Sequence, residues 1–228
     1  MIAGVDGCKG GWIAVLAPPV GFAEARAVVV PRFADIAALA TLVAVDMPIG
    51  LPEHSGRNAE TALRQLLGKR RSSVFPIPSR AAVYAIDYAS ARALALASSL
   101  PPRSVSKQAF NIFPKIREID ALLRADAALA ARVFECHPEG CFRTMAGAPL
   151  GWPKRNSAGA AERRALLAAA GFAPAFLDAR PPRGAAPDDL LDACAAAWTA
   201  QRLAAGIARS WPEAPERDAH GLPMAIWA

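Results

Sequence analysis

Apolar residues in this chain come first in short runs and later at helical spacing. Positions 2–5 and 12–16 are apolar runs on either side of "DGCKGG", which predicts two strands joined by a tight glycine turn. Positions 22–30 ("FAEARAVVV") alternate and then turn apolar, a third strand. "RFADIAALA" has helical spacing, and "TLVAVDMPIGLP" is a short apolar strand that ends at Asp46, stopped by prolines and glycine. Helical patterns follow at 59–67, 84–98 and 107–124, with the loop "GKRRSSVFPIPSRAAVY" between the first two. "ARVFECHPE" predicts another strand, with Glu135 near its end. Further helices are expected from Glu139 and over 160–170, then the linker "RPPRGAAP" and a long helix over "DDLLDACAAAWTAQRLAAG". The tail "DAHGLPMAIWA" predicts a short terminal strand or extended segment. Three strands, a helix, a fourth strand and further αβ units give an α/β class. The chain is expected to be a single domain over 1–228, with a mostly helical insertion at about 53–128.

Composition narrows this picture. Hydrophobic residues make up 54% of the 228 positions, enough for a core, although much of that is alanine. No apolar run reaches the ~18 residues of a membrane span, and the first run is broken at Asp6 without a basic segment before it. No membrane association and no signal peptide are therefore expected. Cys8, Cys136, Cys141 and Cys194 are scattered without a CxxC pair, which argues against a zinc ribbon and for reduced thiols in a cytoplasm. The net charge of +6 is uneven: positions 53–120 hold eleven Lys or Arg against five acids, and the remainder is balanced. A positive surface confined to one segment suits a polyanion, most often nucleic acid; the plain alternative is a solvated basic face.

The candidate chemistry is carboxylate. Asp6, Asp46 and Glu135 each stand at or near the C-terminal end of an expected strand, where open sheets collect functional groups. Asp189 and Asp192, three apart, share one face of the last long helix, and Asp188 is a natural N-cap there. Buried carboxylates that converge need a cation, and oxygen-only ligands favour Mg²⁺ or Mn²⁺ over zinc. Two such ions would activate water and stabilise the leaving oxygen in phosphodiester cleavage. Each acid also has a structural alternative: turn residue, helix cap or salt bridge. His137 lies two residues beyond Glu135, as either a proton-transfer aid or a hydrogen-bonding support.

The motifs "GVDGCKGGW", "VDMPIGLP", "RRSSVFPIPSR", "KQAFNIFPKIREID", "ECHPE" and "DDLLDACAAAW" together resemble a family of bacterial and archaeal proteins regarded as ribonuclease H-like nucleases. The resemblance spans nearly the whole chain. It implies a ribonuclease H-like mixed sheet, with three antiparallel strands followed by parallel strands, flanked by helices. It implies Asp6, Asp46, Glu135 and Asp192 as catalytic metal ligands, with Asp189 one turn earlier. Asp35 is the only acid near the first helix, so the arrangement is closer to Holliday-junction resolvases, whose last helix carries an acid followed by alanine as at Asp192–Ala193. The basic segment then offers substrate contacts: Arg70, Arg71, Ser72, Ser73 and Arg80 in its loop, Lys107, Gln108 and Asn111 on one helix face. Lys9 at the hairpin tip, His137 and Lys154 complete that set.

The leading expectation is a divalent-metal nuclease acting on DNA or RNA. One competitor is a phosphotransferase of the actin-like group, whose first hairpin cradles ATP phosphates, as "DGCKGGW" superficially could. Another is a non-catalytic nucleic-acid-binding module. The apolar end "LPMAIWA" either finishes the domain or packs on a second copy of the chain.

Overall fold

Alternation along the first two strands sets the layers of the molecule, whose computed structural model describes residues 1–228. Strands β1 (Ile2–Cys8) and β2 (Gly11–Ala17) pair antiparallel, closed by the turn at Lys9–Gly10. Ala3, Val5, Trp12, Ala14 and Leu16 point into one core; Ile2, Ile13, Val15 and Ala17 point into another on the opposite face. β3 (Arg26–Val30) adds antiparallel to β2, and after α1 (Phe33–Ala37) the strand β4 (Leu42–Val45) joins β1 in parallel. The 53–128 segment then supplies α2 (Asn58–Leu67), a 3-10 helix over Gly68–Ser73, α3 (Arg80–Val83), α4 (Tyr88–Ala97), α5 (Lys107–Ala125) and the start of α6 (Ala127–Ala130). β5 (Val133–Glu135) completes a five-stranded mixed sheet in the order β3-β2-β1-β4-β5.

The helical segment is integral to this layer structure. Ile77, Ala82, Val83, Phe113, Ile116 and Ile119 share one buried cluster with Val5, Trp12 and Val45 of the sheet, so α3 to α5 cover that face. α7 (Pro138–Ala146), α8 (Ser157–Ala169), α9 (Pro174–Leu177) and α10 (Pro187–Ala204) cover the other. α10 lies closest to the sheet because β1 offers it a glycine. A Cβ at Gly4 would run into the backbone of Ala193 and Ala197. Gly4→Ala should therefore lower stability by about 2–3 kcal/mol, read as a fall in the urea midpoint; an unchanged midpoint would mean that α10 sits further out.

Two local differences from the sequence reading have simple causes. The expected helix over 84–98 begins only at Tyr88, because Asp87 caps α4 by accepting from the Ser90 amide at 2.7 Å. β6 (Ser210–Arg217) was not anticipated: its prolines and acids read as loop, and it pairs with β7 (Pro223–Trp227) only at its two ends. The apolar tail finishes the domain, since Ala225, Ile226 and Ala228 are all buried within the chain. No helix is long and apolar enough to cross a membrane, and all four cysteines are buried and free.

Candidate active site

Register brings two of the expected acids side by side. Val5 pairs with Val45, and the Asp46 amide donates to the Val5 carbonyl at 2.9 Å, so Asp6 and Asp46 lie level on adjacent strands about 5 Å apart. Asp6 follows Gly4 by two residues and faces the same side, toward α10. The Gly4 contact seats Ala193 and Ala197 over β1, which leaves the preceding helical turn, with Asp192, above Asp6. Asp192 itself is buried. Asp6 accepts from the Gly7 amide at 2.6 Å, whereas the Asp46 carboxylate is stabilised by no hydrogen bond.

The electrostatics follow from that crowding. Burial, then the charges of Asp46, Asp192 and Asp189, hold the Asp6 carboxyl well above the usual carboxylate range. Burial lifts Asp46 to about 7 and Asp192 to about 6, with Lys154 opposing both. The Lys154 ammonium lies 2.9 Å from Asp192 and 3.6 Å from Asp188. Lys154, expected to bind substrate, is thus a cation within the acid cluster. Asp189 does not point freely inward: its carboxylate accepts from the Ala186 amide at 2.8 Å. It, not Asp188, caps α10.

The donor set fits a hard divalent cation. Asp6, Asp46 and Asp192 offer oxygen only, repel one another, and in Asp46 include a carboxylate without a protein donor. No three acid, histidine or cysteine side chains are placed to hold a metal ion as they stand, so an ion at Asp6, Asp46 and Asp192 would have to draw them together and move Lys154 off Asp192.

A pH dependence follows. Asp46 titrates near 3.8 when unfolded and near 7 when folded, so the folded chain holds the extra proton between those values. Stability from this group is present at low pH and is lost as pH rises through about 4 to 7. In metal-free protein, Asp46→Asn should match wild type at pH 4 and be more stable by about 4 kcal/mol at pH 8. That corresponds to a melting temperature higher by about 8–16 °C. A pH-independent difference in calorimetry would contradict this.

Glu135 does not join the cluster. It pairs in register with Val45, whose side chain faces the α5 layer, so Glu135 faces that layer too and away from Asp6 and Asp46. Its carboxylate is gripped by buried Arg57 at 2.6 and 2.8 Å and accepts from the Ile49 amide at 2.8 Å. Arg57 also binds Glu60, and burial still lifts Glu135 to about 7 against the pull of Arg57. The residue level with Asp46 on the α10 face is Cys136, whose amide donates to the Val45 carbonyl at 2.9 Å. The expected catalytic and metal role of Glu135 is thus replaced by a structural one. Asp35 also stands apart, paired with Arg32 at 2.8 Å.

The expected substrate contacts divide in two. Arg80 bridges Asp120 and Asp218, each at 2.7 Å, and is spent inside the fold. His137 caps α7: its Nδ1 accepts from the Glu139 amide at 3.2 Å, its Nε2 lies 3.3 Å from the Ser73 carbonyl, and burial lowers its pKa so that it stays neutral. Arg70 lies 3.5 Å from Glu139, and the Ser73 hydroxyl donates to the Arg70 carbonyl at 2.8 Å. Lys9, Arg71, Ser72, Lys107, Gln108 and Asn111 remain exposed.

Two residues escaped the sequence reading. Arg57, in "SGRNAE", is one of the eleven cations of the 53–120 segment with nothing in its local sequence to single it out. Lys115 lies two turns after Lys107 on α5, donates to the Gly11 carbonyl and sits 4.4 Å above the Trp12 ring. The 107–111 spacing, extended by four, would have found it.

A family model described as a protein of unknown function (DUF429) matches residues 4–217. That span holds every acid of the cluster as well as Arg57, Lys115 and Lys154. No curated protein and no solved structure matches the chain.

Proposed function

The chain belongs to the DUF429 family, and for this member we propose a divalent-metal-dependent nuclease of ribonuclease H-like fold that hydrolyses phosphodiester bonds in DNA or RNA. The observation that carries the reading is the trio Asp6, Asp46 and Asp192, drawn from two strand ends and a helix, with pKa values raised by burial and, for Asp6 and Asp192, by neighbouring carboxylates. The sheet order β3-β2-β1-β4-β5, with three antiparallel strands and then parallel ones, supports the fold assignment.

Asp6, Asp46 and Asp192 would hold Mg²⁺ or Mn²⁺. When bound, such ions supply an activated water and neutralise charge on the phosphate oxygens. The chain's own part is positional. Asp6 is fixed by the Gly7 amide, and Asp46 by its place in the sheet. Lys154, which pairs with Asp192 at 2.9 Å, would be freed by a bound ion to meet a phosphate oxygen beside the site. Exposed Lys9, Arg71 and Lys107 offer further phosphate contacts.

The phosphotransferase reading fares worse because the first hairpin uses the backbone groups it would need. The Gly7 amide donates to Asp6, and the Gly10 amide donates to the Gly184 carbonyl at 2.9 Å. Gly10 and Gly184 also touch so closely that neither admits a Cβ, so the turn is packed against the chain before α10.

The test is a cleavage assay on single-stranded, duplex, hybrid and branched substrates with Mg²⁺, Mn²⁺ or chelator. Metal-dependent cleavage of at least one substrate is expected; none across the panel would sink the proposal.

A further inference from the structure

One cavity lies away from Asp6, Asp46 and Asp192, none of which lines it. It measures about 670 Å³, within the range of small-molecule sites, and is lined by Arg143 and Thr144 of α7, Arg202 near the end of α10, Arg209, Trp211 of β6 and Trp227 of β7. Arg202 follows Asp192 by ten residues, which places it about 15 Å along α10 from the acid cluster.

Its charge is positive on balance, with three arginines against the single acid Glu213. None of the three arginines forms an ion pair with a carboxylate. The Nε atoms of Arg143 and Arg202 are buried without a hydrogen-bond partner. Leaving a buried cationic donor unmet is costly, and here it occurs at two guanidiniums lining one cavity. Burial and the charge of Arg209 both depress the pKa of Arg202, the effect expected where positive groups crowd without an anion. Part of Arg202 is committed, since it donates to the Ile207 carbonyl at 2.9 Å and stacks 4.7 Å from Trp198. Arg143 has no such partner.

The lining also holds two indoles, beside Leu66, Thr144, Ser210 and the carboxylate of Glu213. Trp227 stands edge-on to Phe134 and also borders the cavity, and Trp211 borders it from the neighbouring strand. Guanidiniums bind phosphate bidentately, and indole faces accept a nucleobase by stacking.

We propose that this cavity is a second binding site, for a nucleoside phosphate, with the phosphate on Arg143, Arg202 and Arg209 and the base against Trp211 and Trp227. The site is independent of the acid cluster and stands whether or not the chain is a nuclease.

The experiment is calorimetric titration of the full chain with AMP, adenosine and inorganic phosphate, with tryptophan fluorescence as a second readout. Saturable AMP binding is expected, at least about tenfold tighter than adenosine or phosphate alone. Arg143→Ala should weaken it by about tenfold or more. Arg209→Ala removes an exposed side chain, so it should weaken AMP binding without changing the melting temperature. Trp211→Phe should remove most of the fluorescence change, and Asp6→Asn should leave AMP affinity unchanged. Absence of saturable AMP binding, affinity unaltered in both arginine variants, or AMP binding no tighter than phosphate would each overturn the proposal.

Discussion

Asp6→Asn is expected to lower metal-dependent cleavage by about a thousandfold and, in metal-free protein at pH 8, to raise the melting temperature. The first effect follows because loss of a metal-ligating charge removes several kcal/mol of transition-state stabilisation, at about 1.4 kcal/mol per factor of ten. The second follows from the pKa. Asp6 is held well above the usual carboxylate range by burial and by Asp46, Asp192 and Asp189, so ionising it costs folding energy. An amide of the same shape removes that cost. The opposite signs matter, since a variant that was merely misfolded would lose activity and stability together. Asp192→Asn should lose activity similarly but gain less stability, because it also gives up the Lys154 ion pair at 2.9 Å. Activity in Asp6→Asn within tenfold of wild type would remove Asp6 from the chemistry.

Arg57→Ala is expected to be the most destabilising of the variants considered, by about 3–5 kcal/mol. Arg57 is buried and holds Glu135 and Glu60, while also donating to the Ile49 carbonyl at 2.7 Å. Truncation leaves two buried carboxylates with no counter-ion, and it frees the chain that follows Asp46. The Glu135→Gln change made together with Arg57→Ala should recover part of the loss, because the amide no longer carries a stranded charge. By itself, Glu135→Gln should leave Mn²⁺ affinity within about twofold of wild type, whereas Asp46→Asn should abolish tight binding. A neutral Arg57→Ala, or Mn²⁺ binding lost in Glu135→Gln, would contradict the division of the acids between two faces.

That division was only half visible in the sequence: parity separates the two faces of a strand without saying which one meets α10. In "ARVFECHPE", Val133 and Glu135 must share one face and Cys136 the other. The strand-end position of Glu135 was legible, but the face was not, because strand length and register fix it and only three residues form β5. Asp6 and Asp46 were legible because each ends an apolar run and the runs pair in parallel. Asp192 was legible from helical spacing. Lys154 was visible as a charge but not as the partner of Asp192, since it lies in a loop whose path is set by α8 packing on α10. Arg80 illustrates the limit of charge counting: in the basic segment it reads as a phosphate ligand, yet its partners Asp120 and Asp218 are distant in sequence. β6 stayed hidden because "SWPEAPER" carries the residues of a loop and is held by β7 rather than by its own propensity.

The claim on which the function rests is that Asp6, Asp46 and Asp192 together bind a divalent ion. Anomalous diffraction from crystals soaked in Mn²⁺ above pH 7 measures this directly. One or two peaks are expected among these three carboxylates, with the Lys154 ammonium moved off Asp192. No peak there at saturating Mn²⁺, or a peak at Glu135 instead, would contradict it.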